Sequence, residues 1–219
     1  MLLLCFYVLY FIIYFIEKET YRINLYHKMK HNGFKGGASM KEVQPIRDVN
    51  KIDEIKEVLK QRSMRDWFLF VMGINTGLRI SDLLKLKVDD VRHRTHITLK
   101  EQKTGKEKRF RINPNLQETI NEYTKRMNDV DYLFPSQKTG NPILRIQAYK
   151  ILNNAAEQVG LSEIGTHTLR KTFGYHFYQK TKDVAMLQEI FNHSAPSVTL
   201  RYIGINQDIL DRAIDDFSL

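Results

Sequence analysis

The sequence predicts a mainly α domain with a small antiparallel β-sheet (α+β), and three observations carry that class. Apolar residues recur at helical spacing over most of the chain. One stretch, HITLKEQKTGKEKRFRIN, instead alternates apolar and polar residues on both sides of Thr104-Gly105, the signature of a β-hairpin with a basic tip. Only 11 Gly and 5 Pro punctuate 219 residues, and neither an internal repeat nor a long linker is visible. In order, Asp48 or Asn50 caps a helix carrying Ile52, Ile55, Val58 and Leu59. Ser63 caps a second, through Trp67, Leu69, Phe70 and Ile74 to a glycine stop at Gly77, and Ile80, Leu83, Leu84 and Leu86 mark a short third. After the hairpin, helices are expected near 115 to 129, 144 to 159, 168 to 180, 183 to 192, 196 to 203 and 207 to 217. Pro196 suits a first helical turn.

Composition narrows the function classes. With 42% hydrophobic and 11% aromatic residues the chain is neither disordered nor low in complexity. A single cysteine, Cys5, excludes an internal disulfide framework and a cysteine-based zinc site, and fits an intracellular, cytoplasmic protein. Thirty-four Lys and Arg against 25 Asp and Glu give a charge of +9, which favours a polyanionic partner without specifying which.

The first sixteen residues are uncharged, and a polar, basic stretch follows abruptly. That run is shorter than the ~20 residues of a membrane span and lacks the basic start and cleavage site of a signal peptide, so membrane attachment is not expected. Residues 1–39 are read as an apolar and basic leader outside the folded domain. Lys35-Gly36-Gly37 can be encoded by a purine-rich tract of the kind bacterial ribosomes pair with, just upstream of Met40, so translation is expected to start there. From Met40 onward 29 Lys and Arg face 23 Asp and Glu, so the basic character belongs to the domain, residues 40–219.

Four places hold polar groups that neither a core nor a solvated face requires. Arg79 stands between the Gly77 helix stop and the next helix start, where unpaired backbone N–H groups welcome an anion. Lys103 sits at the hairpin tip, from which an ammonium can reach into a groove. His167 and Arg170 lie three apart at a helix start, both able to donate to phosphate oxygens. His193 is followed nine residues later by Tyr202, ahead of a final helix. Each alone is more simply a surface charge, a cap or a packing residue. Together, Arg, Lys, His, Arg, His and Tyr in that order form a kit for phosphoryl transfer: a hydroxyl nucleophile, groups that move its proton, and cations for the charge on the phosphate. The sequence shows no dense carboxylate cluster for two-metal cleavage and no GxxxxGK[ST] loop for ATP, so no metal and no cofactor is expected.

From about Met40 to the C-terminus the chain resembles the catalytic domain of the tyrosine recombinases, the phage-integrase family. The resemblance rests on NTGLRISDLLKLKVDDV, the KTGK hairpin, THTLRKTFGYHF and FNHSAPSVTLRYI, in that order. It implies the integrase catalytic-domain fold, and an enzyme that cleaves and rejoins double-stranded DNA through a 3′-phosphotyrosyl intermediate. It further implies Arg79 and Arg170 on the scissile phosphate, Lys103 as general acid with Lys106 as its rival, and His167 assisting proton transfer. His193 would bond the phosphate, Tyr202 would be the nucleophile, and Asp82 would support the site. A homo-oligomer, a tetrameric synapse on DNA, would follow, with the amphipathic tail from Asp208 to Leu219 docking on a neighbouring protomer or packing in cis. Phe191-Asn192 stands where the family commonly has Leu-Gly, and the family's N-terminal core-binding domain has no counterpart before the first helix. Three other readings stay open: type IB topoisomerase-like relaxation, a non-catalytic DNA-binding remnant, and a lipid-surface binder anchored by residues 1–16.

Overall fold

Ser63 ends one helix and starts the next. Its N–H closes the first helix on the Leu59 carbonyl at 2.8 Å, while its hydroxyl accepts from the Asp66 N–H. In the computed structural model, residues 43–100, 107–162 and 164–205 are described, with Ile214, Asp215 and Phe217. All lie in the second of the two units into which the chain divides, Glu42–Leu219.

The helices joined at Ser63 are α1 (Val49–Arg62), capped by Asp48, and α2 (Met64–Thr76). A four-residue α3 (Ile80–Leu83) and a 3-10 turn at Val88–Asp90 lead to the hairpin of β1 (His96–Lys100) and β2 (Glu107–Arg111). Its antiparallel register pairs His96 with Arg111 and Lys100 with Glu107. Then follow α4 (Pro114–Thr124), α5 (Arg145–Gln158), α6 (Thr168–Thr181), α7 (Val184–Phe191) and α8 (Pro196–Tyr202), with Pro196 in the first turn of α8. The mainly α class with one small antiparallel sheet is therefore observed.

Two differences from the sequence expectation have physical causes. The helix expected over 115–129 stops at Thr124, because the Arg92 guanidinium reaches in from the segment just after the 3-10 turn. It takes the carbonyls of Thr124 and Met127, acceptors that a continuing helix would have kept. Of the tail helix expected over 207–217 only Ile214, Asp215 and Phe217 are described, the first two helical and both apolar residues exposed. The rest of that segment, the 1–39 leader and the hairpin tip with Lys103 and Lys106 lie outside the described residues.

Side chains from α1 to α6 and from β1 make one core, including Ile55, Leu59, Phe68, Met72, Leu83, Ile97, Ile120, Leu152 and Leu169. Gly73 lets α2 and α6 approach closely: a Cβ there would lie 2.4 Å from Leu169 Cδ1. A smaller cluster of Leu187, Phe191, Ile203 and Ile205 holds α7 and α8 against the aromatic residues Phe173, Tyr175 and Phe177 of α6. The stretch before α1 is also tied to α6, since the Ile46 N–H donates to Thr172 at 2.9 Å and its carbonyl meets the His176 ring at 2.9 Å. Helix α6 thus takes part in both clusters, and the candidate site lies where they meet.

Candidate active site

The site begins with a turn that only glycine fills comfortably. Gly77 closes α2 in the left-handed region at φ 63°, and a Cβ there would lie 2.4 Å from the Phe173 ring. Its carbonyl, turned away from the helix, accepts from the guanidinium of Arg170. The chain then passes the buried Leu78 to Arg79, which caps α3 through its backbone carbonyl and leaves its side chain exposed.

Arg170 is 5% exposed and acts first as a strut. It donates to Gly77 on one side and to the Phe191 carbonyl, at 3.0 Å, on the other, and its guanidinium stacks 4.1 Å above the Phe191 ring. One planar cation therefore joins the α2–α3 junction to the C-terminal end of α7. There Asn192 adopts the left-handed conformation at φ 55°, and His193 follows with its N–H on the Gln188 carbonyl. The His193 ring meets the hydroxyl of the fully buried Thr199 at 3.1 Å, which fixes the imidazole against α8.

Tyr202 is the last residue of α8 and points back into this junction. Its ring meets His193 edge-on at 5.1 Å and Phe191 at 5.5 Å, and its hydroxyl lies 3.4 Å from Nδ1 of His167. Burial raises the phenol's pKa, while the charges of Arg170 and Arg79 and a hydrogen bond from Arg170 pull it back. His167 is the N-cap residue of α6 through its backbone carbonyl, and its side chain makes no capping bond. Its pKa is lowered, first by desolvation and then by Arg145, Lys171, Arg170 and Arg79. His193 is lowered as well, by burial first and then by Arg170, Arg79 and Lys108. Two histidines held toward the neutral form thus flank a phenol within a field of cations.

Of the sequence candidates, the structure brings Arg79, His167, Arg170, His193 and Tyr202 into one cluster; Lys103 and Lys106 lie outside the described residues. Asp82 lines a small cavity with Arg79, Lys100, Lys108 and Arg170. Sequence reading missed Lys108, which shares the inward face of β2 with Phe110 and donates to the Ile190 carbonyl at 3.4 Å. Strand alternation carries that signal: Lys108 falls in phase with Phe110, on the half-buried side. It also missed Thr199, whose link to His193 across the start of α8 nothing in the sequence marks.

Residues 46–208 match the model of the phage integrase family. The chain belongs to that family. It is 57% identical over 166 residues to "Probable integrase/recombinase YoeC" of Bacillus subtilis (strain 168), covering 76% of this chain and 92% of the relative. It is 27% identical over 173 residues to the tyrosine recombinase XerA of Pyrococcus furiosus, covering 77% of this chain and 60% of that one. In fold it is similar to the XerH site-specific recombinase crystallised with a palindromic difH substrate as a post-cleavage complex. That match has a TM-score of 0.61 at 22% identity and covers 84% of this chain and 56% of XerH. This phage integrase chain is accordingly an enzyme of the tyrosine recombinase class and carries the fold of its catalytic domain. Among its described residues no helix is long and apolar enough to cross a membrane, and no group of three or more His, Cys, Asp or Glu is placed to hold a metal ion.

Proposed function

We propose that this integrase-family domain cleaves and rejoins double-stranded DNA at specific sites, with Tyr202 as nucleophile and neither metal nor ATP as reactant. The observation that carries the reading is the Tyr202 hydroxyl held 3.4 Å from His167, with the cations Arg170, Arg79 and Lys171 acting on the same phenol. The relatives named as recombinases and integrases support it, as does the XerH structure with its DNA substrate.

In this reading the Tyr202 oxygen attacks phosphorus, its proton passes to the neutral Nδ1 of His167, and the bond from phosphorus to the 5′-oxygen breaks. Arg79 and Arg170 offset the charge that builds on the non-bridging oxygens, and His193 hydrogen-bonds the phosphate. Lys103 gives a proton to the departing oxygen, which leaves as a 5′-hydroxyl. The products are a 3′-phosphotyrosyl ester and that hydroxyl. Because one ester replaces another, a 5′-hydroxyl from a second duplex reverses the step and joins the strands. Four protomers on two duplexes are the assembly this exchange calls for, the tetrameric synapse.

The test offers the protein two labelled duplexes that share a candidate site, beside a supercoiled plasmid. Joined, exchanged strands are the expected product. Plasmid relaxation without strand exchange would overturn the recombinase reading in favour of a topoisomerase.

A further inference from the structure

The Tyr202 ring has a third neighbour besides His193 and Phe191. The ammonium of Lys171 lies 5.2 Å from its centroid. Lys171 follows Arg170 directly in α6 and is 5% exposed. Burying an ammonium is costly, and methionine would fill the same helical position without that cost. A neutral phenol offers the cation only the quadrupole of its ring. Loss of the proton delocalises a full negative charge over oxygen and ring, so the same ammonium attracts the phenolate far more strongly than the phenol.

We propose that Lys171 is a positioning residue that sets its ammonium against the Tyr202 ring and stabilises the phenolate, both as Tyr202 attacks and as it departs when strands rejoin. The role in the reaction rests on Tyr202 being the nucleophile; the electrostatic effect on the phenol does not. Arg170 and Lys171 face Tyr202 from α6, His167 from just ahead of it, Arg79 from the α2–α3 junction and His193 from the turn before α8. Lys171 also helps to hold His167 in the neutral form. One ammonium thus acts at both ends of the proton transfer, keeping the acceptor unprotonated and favouring ionisation of the donor.

The test replaces Tyr202 in the full chain with trifluorotyrosine, whose phenol ionises near neutral pH, and follows its titration by ¹⁹F NMR without DNA. Lys171→Met is expected to raise the midpoint by about one pH unit, whereas Lys171→Arg stays with the unsubstituted protein. Lys171→Gln repeats the comparison should the methionine variant melt early. An unchanged midpoint in a folded, charge-removed variant overturns the proposal, as does a Lys171→Arg midpoint displaced as far as that of Lys171→Met. On a nicked duplex, Lys171→Met should slow adduct formation by Tyr202 roughly tenfold, and the fluorinated phenol should recover most of that loss. Because the titration needs no DNA, absence of any adduct at position 202 overturns the nucleophile reading and leaves the Lys171 result standing.

Discussion

Nδ1 of His167 lies 3.4 Å from the hydroxyl of Tyr202, although 35 residues separate the two. Two helices arrange that meeting. His167 sits at the entrance of α6 and Tyr202 at the exit of α8, and α7 between them is fastened by Arg170 at the Phe191 carbonyl. In the proposed reaction a proton crosses this gap only while the imidazole is neutral, so the acid limb is expected to report His167.

Its sign follows from the lowered pKa. Desolvation and the surrounding cations favour the neutral ring, so the basic form persists to pH values below the ordinary 6.5. NMR titration of His167 in the DNA-free protein should give a midpoint below 6.5; a midpoint above it contradicts the account. His167→Ala should slow adduct formation by roughly 10² to 10⁴.

Arg170 has a structural duty separable from catalysis. Arg170→Lys keeps the charge but cannot span the carbonyls of Gly77 and Phe191, which leaves at least one buried acceptor unmatched. Urea unfolding should show a loss of about 1–3 kcal/mol. Arg79→Lys, at an exposed side chain, should change stability by less than ~0.5 kcal/mol while still depressing cleavage. Equal stability losses for the two arginines would contradict the strut.

Gly77→Ala tests the turn beneath Arg79. The left-handed backbone costs alanine about 1–2 kcal/mol and the 2.4 Å approach to the Phe173 ring adds an overpacking penalty of similar size. A thermal melt should show total destabilisation of roughly 2–4 kcal/mol. An unchanged midpoint would mean that the α2–α3 junction is built differently.

The leaving-group acid is assigned from the family resemblance, and a sulfur substitution tests it. A 5′-bridging phosphorothiolate leaves without protonation. Lys103→Ala should therefore lose roughly 10² to 10⁴ on ordinary DNA and recover on the sulfur substrate. Rescue of Lys106→Ala in its place would move the role to Lys106, and rescue of Lys108→Ala would move it to the cavity beside Arg79.

Much of the fold was legible because its determinants are local. Asp48, Ser63 and Pro196 stand at the helix starts where their chemistry is useful, and Gly77 at the stop. The spacing of Arg79, His167, Arg170, His193 and Tyr202 was legible as an ordered set, although none of the five is distinctive alone. What stayed hidden depends on contacts between distant segments. The grip of Arg92 on the carbonyls of Thr124 and Met127, the anchoring of Lys108 at Ile190 and the bond from Thr199 to His193 all join residues that no periodic pattern relates. The burial of Arg170 and Lys171 is of the same kind: a basic pair at a helix start reads as solvated until α7 and α8 close over it.

The central claim is the covalent chemistry of Tyr202, and peptide mapping of a trapped adduct tests it most directly. A duplex nicked near the scissile position lets the cleaved fragment diffuse away, so that the adduct accumulates with EDTA present. The account predicts a DNA 3′-phosphate joined to the peptide that contains Tyr202, and its loss in Tyr202→Phe with DNA binding retained. An adduct on another tyrosine, or cleavage that appears only when magnesium is restored, would contradict it.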